Sequence, residues 1–93
     1  MDRVVVEVEG EIDMASAPRL REALFAAIEG DACSVVADFS AVNFIDSSGL
    51  HVVIDAHNKA IEAGSKLILR SPAPNVARVI ELVGLDEFLT VED

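Results

Sequence analysis

The sequence predicts an α/β domain of order βαβαβαβ: a mostly parallel four-stranded sheet in sequential order, with helices mainly on one face. Three observations carry this. Runs of β-branched residues alternate with runs of helical period, each helical run is closed by a glycine, and the longer strands place charge at alternate positions. Strand–helix–strand succession implies parallel strands joined by right-handed crossovers. Parallel sheets covered on both faces read as continuous apolar runs, and these strands do not. Sequential order puts all three helices on one face and leaves the other largely wet.

Val4-Val5-Val6-Glu7-Val8-Glu9 is the first strand. Its period of two sets Val4, Val6 and Val8 against Val5, Glu7 and Glu9. Gly10 is expected to break it. Ser16 is the expected N-cap of the first helix, with Pro18 in the first turn, where a missing N–H costs little. Ala17, Leu20, Leu24, Ala27 and Ile28 follow at helical spacing, and Gly30 fits the stop. The second strand runs from about Ser34 to Phe39. The second helical run, Leu50 to Ala63, carries a stripe of Leu50, Val53, Ile54 and Ile61 flanked by Gly49, Ala56 and Ala60. His51, Asp55, Asn58 and Glu62 form its wet face, and Gly64 ends it. Lys66 to Arg70 is the third strand, with Leu67 and Leu69 expected to join Val4, Val6 and Val8 beneath the helices. Val76, Val79, Ile80 and Val83 mark the third helix, closed by Gly84 and Leu85, and Phe88 to Val91 is a short fourth strand.

Ninety-three residues suggest a single domain, 1–93. Hydrophobic residues make up 52% of the chain and aromatic ones 4%, so the core must be aliphatic. The net charge of −10 argues against nucleic acid and anionic membrane as direct partners, and suits a basic protein partner. No apolar run approaches the ~20 residues of a membrane-spanning helix, so no direct membrane insertion is expected. Lone Cys33 permits no intrachain disulfide and fits a reducing compartment. No signal peptide is read at the N-terminus, and a cytoplasmic protein is expected.

The chain turns on Phe44-Ile45-Asp46-Ser47-Ser48-Gly49-Leu50, a strand-to-helix junction. Backbone N–H groups there lack intrahelical partners, and a serine can cap them. The same donors and the helix dipole favour phosphate. Ser47 therefore reads either as a structural cap or as a modification site. Two consecutive hydroxyls stand where one would cap. Gly49 also bares the first turn for another molecule to approach, although glycine costs a helix about 1 kcal/mol relative to alanine.

Catalysis finds less support. A nucleophilic Ser47 needs a base and an orienting acid; the only histidines are His51 and His57, and no G-x-S-x-G is present. Their six-residue spacing and the isolated Cys33 do not build a metal site, and no cofactor is indicated. Glu11, Asp13 and Asp46 follow two adjacent strands and form an acidic rim, read as a docking surface in preference to an acid–base pair.

Gly10-Glu11-Ile12-Asp13, Ser16-Ala17-Pro18, Val36-Ala37-Asp38-Phe39-Ser40, Phe44-Ile45-Asp46-Ser47-Ser48-Gly49-Leu50 and Gly84-Leu85 occur in this order. In that combination the chain resembles the bacterial anti-sigma factor antagonists, the single-domain STAS proteins, from about Val4 to Val91. The resemblance implies a non-enzymatic module switched by phosphorylation of Ser47. Its partners would be an anti-sigma factor that is also a serine kinase and a serine phosphatase. Unphosphorylated, it would sequester the anti-sigma factor and release the sigma factor. Asp13 matches a partner-contact position, and Glu11, Asp46, Ser48, Gly49, Leu50 and His51 complete the expected partner-binding set. The family's usual first strand and last helix have no counterpart here, which leaves room for a weak homodimer. Ala73 stands where a capping serine is expected before Pro74. The other readings are a STAS subunit of a membrane lipid-transport ATPase complex and a small hydrolase.

Overall fold

The computed structural model describes residues 2–92. Its elements are β1 (Arg3–Ile12), α1 (Ala17–Ile28), β2 (Ser34–Ile45), α2 (Ser47–Glu62), β3 (Leu67–Arg70), α3 (Pro74–Leu82), a 3₁₀ turn (Leu85–Glu87) and β4 (Thr90–Glu92). The four strands lie in the order β1-β2-β3-β4, and every neighbouring pair is parallel. One core gathers Leu20, Leu24 and Ile28 of α1, Val53, Ala56 and Ala60 of α2, Val76 and Ile80 of α3, and Val35, Ala37, Leu67 and Leu69 of the sheet. Val6 and Val8 pack against it. Val4 shares their face by alternation but sits at the margin, 37% exposed. Glu7 and Glu9 are exposed, so the expected facing of the sheet holds.

Three expectations need correction. Gly10 does not end the first strand. β1 runs on to Ile12, with Gly10 at φ +83° beside a register shift. β2 likewise continues to Ile45, past the expected end at Phe39. Its twelve residues pair with the ten of β1 through two irregularities, one between Glu7 and Glu9 and one between Gly10 and Glu11. At the first, Asp38 Oδ1 accepts from Ser40 N at 2.9 Å, a local side-chain bond that competes with the ladder. The Ser40 backbone N–H chiefly, then its hydroxyl, and then the charge of Arg70 pull the Asp38 carboxyl below its usual range. At the second, Asn43 is the extra residue, and its carbonyl accepts from Asn75 Nδ2 of α3 at 2.9 Å. Finally, the left-handed residue after α1 is Asp31 (φ 67°), not Gly30.

The open face is less wet than alternation predicts. Val36 and Ile68 are buried yet lie outside the helix-side core. They belong to the row Val5–Val36–Ile68–Thr90. Glu92 pairs with Arg70 at 3.1 Å on one side of that row and with Arg3 at 3.5 Å from the other side. The Arg3–Glu92 pair therefore spans the row.

In α2 the buried line is Gly49, Val53, Ala56 and Ala60 with Leu50 and Val52, while Ile61 is 59% exposed. Small residues, not the expected isoleucine, make the close contact with the sheet. In α3, Val83 is likewise exposed, and Val76 and Ile80 carry the packing. Phe88 precedes β4 and is exposed, while Leu89 is buried.

Ala73 is the N-cap residue of α3, with extended backbone (φ −60°, ψ 154°), Pro74 next and no side-chain cap. Ala73→Ser should therefore stabilise the fold by roughly 0.5–1.5 kcal/mol. Urea titration checks this, and an unchanged or lower midpoint contradicts it.

Candidate functional site

β1 and β2 end side by side at the paired residues Ile12 and Ile45, and each strand hands over to an aspartate. Asp46 N donates to Ile12 O at 3.1 Å, which ties the two exits together. Asp46 caps the helix that follows it, and Asp13 closes the turn that leads into α1. Asp46 Oδ1 accepts from Ser48 N at 2.9 Å and from Gly49 N at 3.3 Å. Asp13 Oδ1 accepts from Ala15 N at 3.0 Å and Ser16 N at 3.1 Å, and Asp13 O accepts from Ala17 N at 2.8 Å. Ser16, expected to cap α1, makes no cap bond. Its hydroxyl accepts from Asp13 N at 3.0 Å and donates to Glu11 O at 2.8 Å, closing the turn from behind.

This settles which residue caps α2. Asp46 does, in extended conformation (φ −114°, ψ −170°), so Ser47 is the first helical residue and not the cap. Ser47 is exposed, and its hydroxyl makes no hydrogen bond among the described residues. The bland structural duty that the sequence left open for Ser47 belongs to its neighbour.

Gly49 has a different task from the one its sequence context suggested. A Cβ there would stand 2.6 Å from Ile12 Cγ2 and 2.7 Å from Ile45 Cγ1. Its bare face is turned inward, where the strand ends fill it, and no visiting molecule reaches it. Leu50 is buried too. Of the expected partner-binding residues, Glu11 and His51 are exposed, and Asp13, Asp46 and Ser48 are half-buried. The acidic rim is thus partly committed: the carboxylates of Asp13 and Asp46 are engaged by backbone N–H groups.

Beside Ser47 lies a shallow groove of about 480 Å³ between the first turns of α1 and α2, lined by Met14, Pro18, Arg21, Ser48, His51 and Val52 among others. Met14, 78% exposed, is its most prominent apolar group. Arg21 holds Asp55 of α2 in an exposed ion pair and lies over the Phe25 ring at 5.3 Å. Sequence reasoning missed Met14 and Arg21. An apolar residue in the polar turn between Asp13 and Ser16 was the available signal for Met14. Nothing local marks Arg21, whose partner is 34 residues away.

No triad forms around Ser47. Neither histidine hydrogen-bonds to it, and His57 has a buried Nδ1 with no partner, in an apolar setting beside Ile54, Leu85 and Phe88. Among the described residues no cluster of His, Cys, Asp and Glu could hold a metal ion, and no helix is long and apolar enough to cross a membrane.

Two substitutions separate these roles. Gly49→Ala gains helix propensity but forces a methyl into Ile12 and Ile45, for a net loss of roughly 1–2 kcal/mol in chemical denaturation; a stabilised variant contradicts the packing. Asp13→Ala should lose about 1 kcal/mol by freeing the N–H groups of Ala15 and Ser16 in the turn before α1, whereas Asp13→Asn, which keeps an acceptor oxygen, should lose a few tenths at most; equal losses rule out this role.

Comparison with known proteins agrees with this geometry. The STAS domain family model matches residues 2–93. The anti-sigma-F factor antagonist RsfB of Mycobacterium tuberculosis is 32% identical over 93 residues, covering 96% of this chain and 75% of that one. The crystal structure of a putative anti-sigma factor antagonist from Thermotoga maritima superposes with a TM-score of 0.90 at 25% identity, over 99% of this chain and 80% of that one. The anti-sigma factor antagonist SpoIIAA in its unphosphorylated form superposes with a TM-score of 0.81 at 26% identity, over 97% and 79%. Its phosphorylated form gives 0.72 at 25%, over 97% and 82%. With this strand order and these matches, the chain belongs to the STAS domain family, among the anti-sigma factor antagonists.

Proposed function

We propose that this protein is a phosphorylation-switched antagonist that binds an anti-sigma factor with serine kinase activity while Ser47 is unmodified, and lets it go once Ser47 carries phosphate. A serine phosphatase would reset it. The observation that carries the reading is the exposed, unbonded hydroxyl of Ser47 at the first position of a helix that Asp46 already caps. Modifying it breaks no bond that the fold needs. The existence of SpoIIAA in phosphorylated and unphosphorylated forms supports the same reading for a relative of the same fold. The groove of Met14, Arg21, Ser48 and His51 beside it offers the partner a mixed apolar and polar surface.

Phosphate adds about −1.5 to −2 charges and three acceptor oxygens. At the start of α2 the positive end of the helix dipole tolerates it. Its neighbour Asp46 repels it outward, so it projects into the space a docked partner occupies. A loss of about 3 kcal/mol there weakens binding roughly a hundredfold.

The test is incubation with ATP and the candidate kinase partner, read by intact mass, followed by binding titration. One phosphate should appear on Ser47. Phospho-Ser47 and Ser47→Glu should melt within a few degrees of the unmodified chain yet lose the partner. Ser47→Ala should bind and resist modification, and Ser48→Ala should still be modified at Ser47. Phosphate on Ser48 alone, or equal affinity of both forms, overturns the mechanism. Asp13→Asn, which keeps the acceptor for the turn before α1, isolates the partner role of this carboxylate: calorimetry should show weakened binding with stability nearly unchanged, and unaltered affinity removes Asp13 from the interface.

A further inference from the structure

Ser47 and His51 are four residues apart on α2, so their side chains lie one above the other on the same face of the helix. Their Cβ atoms are then about 5–6 Å apart. Both residues are exposed, and neither side chain makes a hydrogen bond or ion pair among the described residues. His51 also lines the groove of Met14, Arg21 and Ser48, which links the serine to the surface offered to a partner. Its surroundings leave it without a settled counter-ion. Asp55, one turn further along α2, is held by Arg21 of α1. Asp46 is engaged by the N–H groups of Ser48 and Gly49. Glu22 of α1 is the remaining acid in the groove; it is exposed and makes no ion pair among the described residues. Within the first two turns of α2, His51 is the only basic side chain.

We propose, on the reading of Ser47 as the switched residue, that His51 is the positioning partner of its phosphate. An anion four residues N-terminal to a cation is the favoured order on a helix, because it runs with the dipole. Phosphoserine loses its second proton at about pH 6, and histidines gain their charge in the same range. Dianion and imidazolium therefore coexist near neutrality. Glu22 competes for the imidazolium with a single charge, against about 1.5 to 2 on the phosphate. The phosphate is drawn along the helix over the mouth of the groove, and the imidazole leaves the groove to meet it. One covalent change then acts twice on a docked partner. It places charge where the partner sits, and it withdraws a side chain from the surface that the partner covers.

The test uses the full chain with phosphoserine inserted in place of Ser47 during translation, so that no kinase is needed. Phosphorus NMR follows the phosphate through its second ionisation. With His51 present the midpoint should lie roughly 0.3 pH unit or more below that of His51→Gln at low salt, because the imidazolium stabilises the dianion. His51→Lys, which keeps a cation one turn from the phosphate, should retain the lowered midpoint. Salt at about 1 M should erase the difference. Equal midpoints with and without His51, or a difference that salt leaves intact, overturn the proposal. With the kinase partner, the ratio of affinities for the plain and phosphorylated chains should shrink at least about threefold in His51→Gln, and an unchanged ratio overturns the withdrawal of His51 from the groove. The two readings fail separately. Absence of phosphate on Ser47 after incubation with the kinase sinks the switch, whereas the phosphorus midpoint reports on His51 alone.

Discussion

The rest of the molecule depends on the close seating of α2 on the ends of β1 and β2. Only a residue without Cβ fits between Ile12 and Ile45 at the first turn of α2, and the Asp46 cap holds that turn in place. Seating and cap act in one direction. They press the third helical residue inward, and so turn the first, Ser47, outward. The exposure of the serine follows from the packing of Gly49 two residues on, not from a flexible loop. A modification at such a site meets rigid backbone, and its effect is felt by whatever docks there and not by the fold.

The one-sided sheet follows from connection rules and is then finished by charge. Sequential parallel strands send every crossover to the same face, which leaves the other without helices. Val36 and Ile68 would be exposed there. They are buried all the same, and the Arg3–Glu92–Arg70 group spans their row. Each of these ion pairs is partly exposed, and such pairs contribute little on their own. β4 has only three residues and brings Glu92 to this cluster, so the shortest strand closes the face that the helices leave bare.

Acidic residues divide into two populations. Asp13, Asp38 and Asp46 are short, lie at strand exits or at the first irregularity of β2, and accept backbone N–H bonds. Glu7, Glu9 and Glu11 are long, exposed, and make no ion pair among the described residues. The first group builds the backbone, while the second sets the field that a partner meets. Among these six residues the negative charge is therefore not uniform in purpose.

Much was legible in the sequence because it rests on local rules. Strand alternation placed Val6, Val8, Leu67 and Leu69 on the core side. Strand–helix succession implied a parallel sequential sheet, and the spacing around Asp46-Ser47-Ser48-Gly49 marked the junction that matters. Periodicity could not show that β2 runs on to Ile45, because its two irregularities break the period that would have announced it. Nor could it choose between Asp46 and Ser47 as cap. Both residue types cap well, and the answer depends on where the Ile12–Ile45 pairing ends the strand. The role of Gly49 was misread for the same reason: a missing side chain looks like an invitation to a ligand until the two isoleucines that fill the space are known. Local chemistry fixed the elements and the critical serine. Long-range contact, which no window of sequence contains, decided where β2 ends, which residue caps α2 and which face of the glycine was closed.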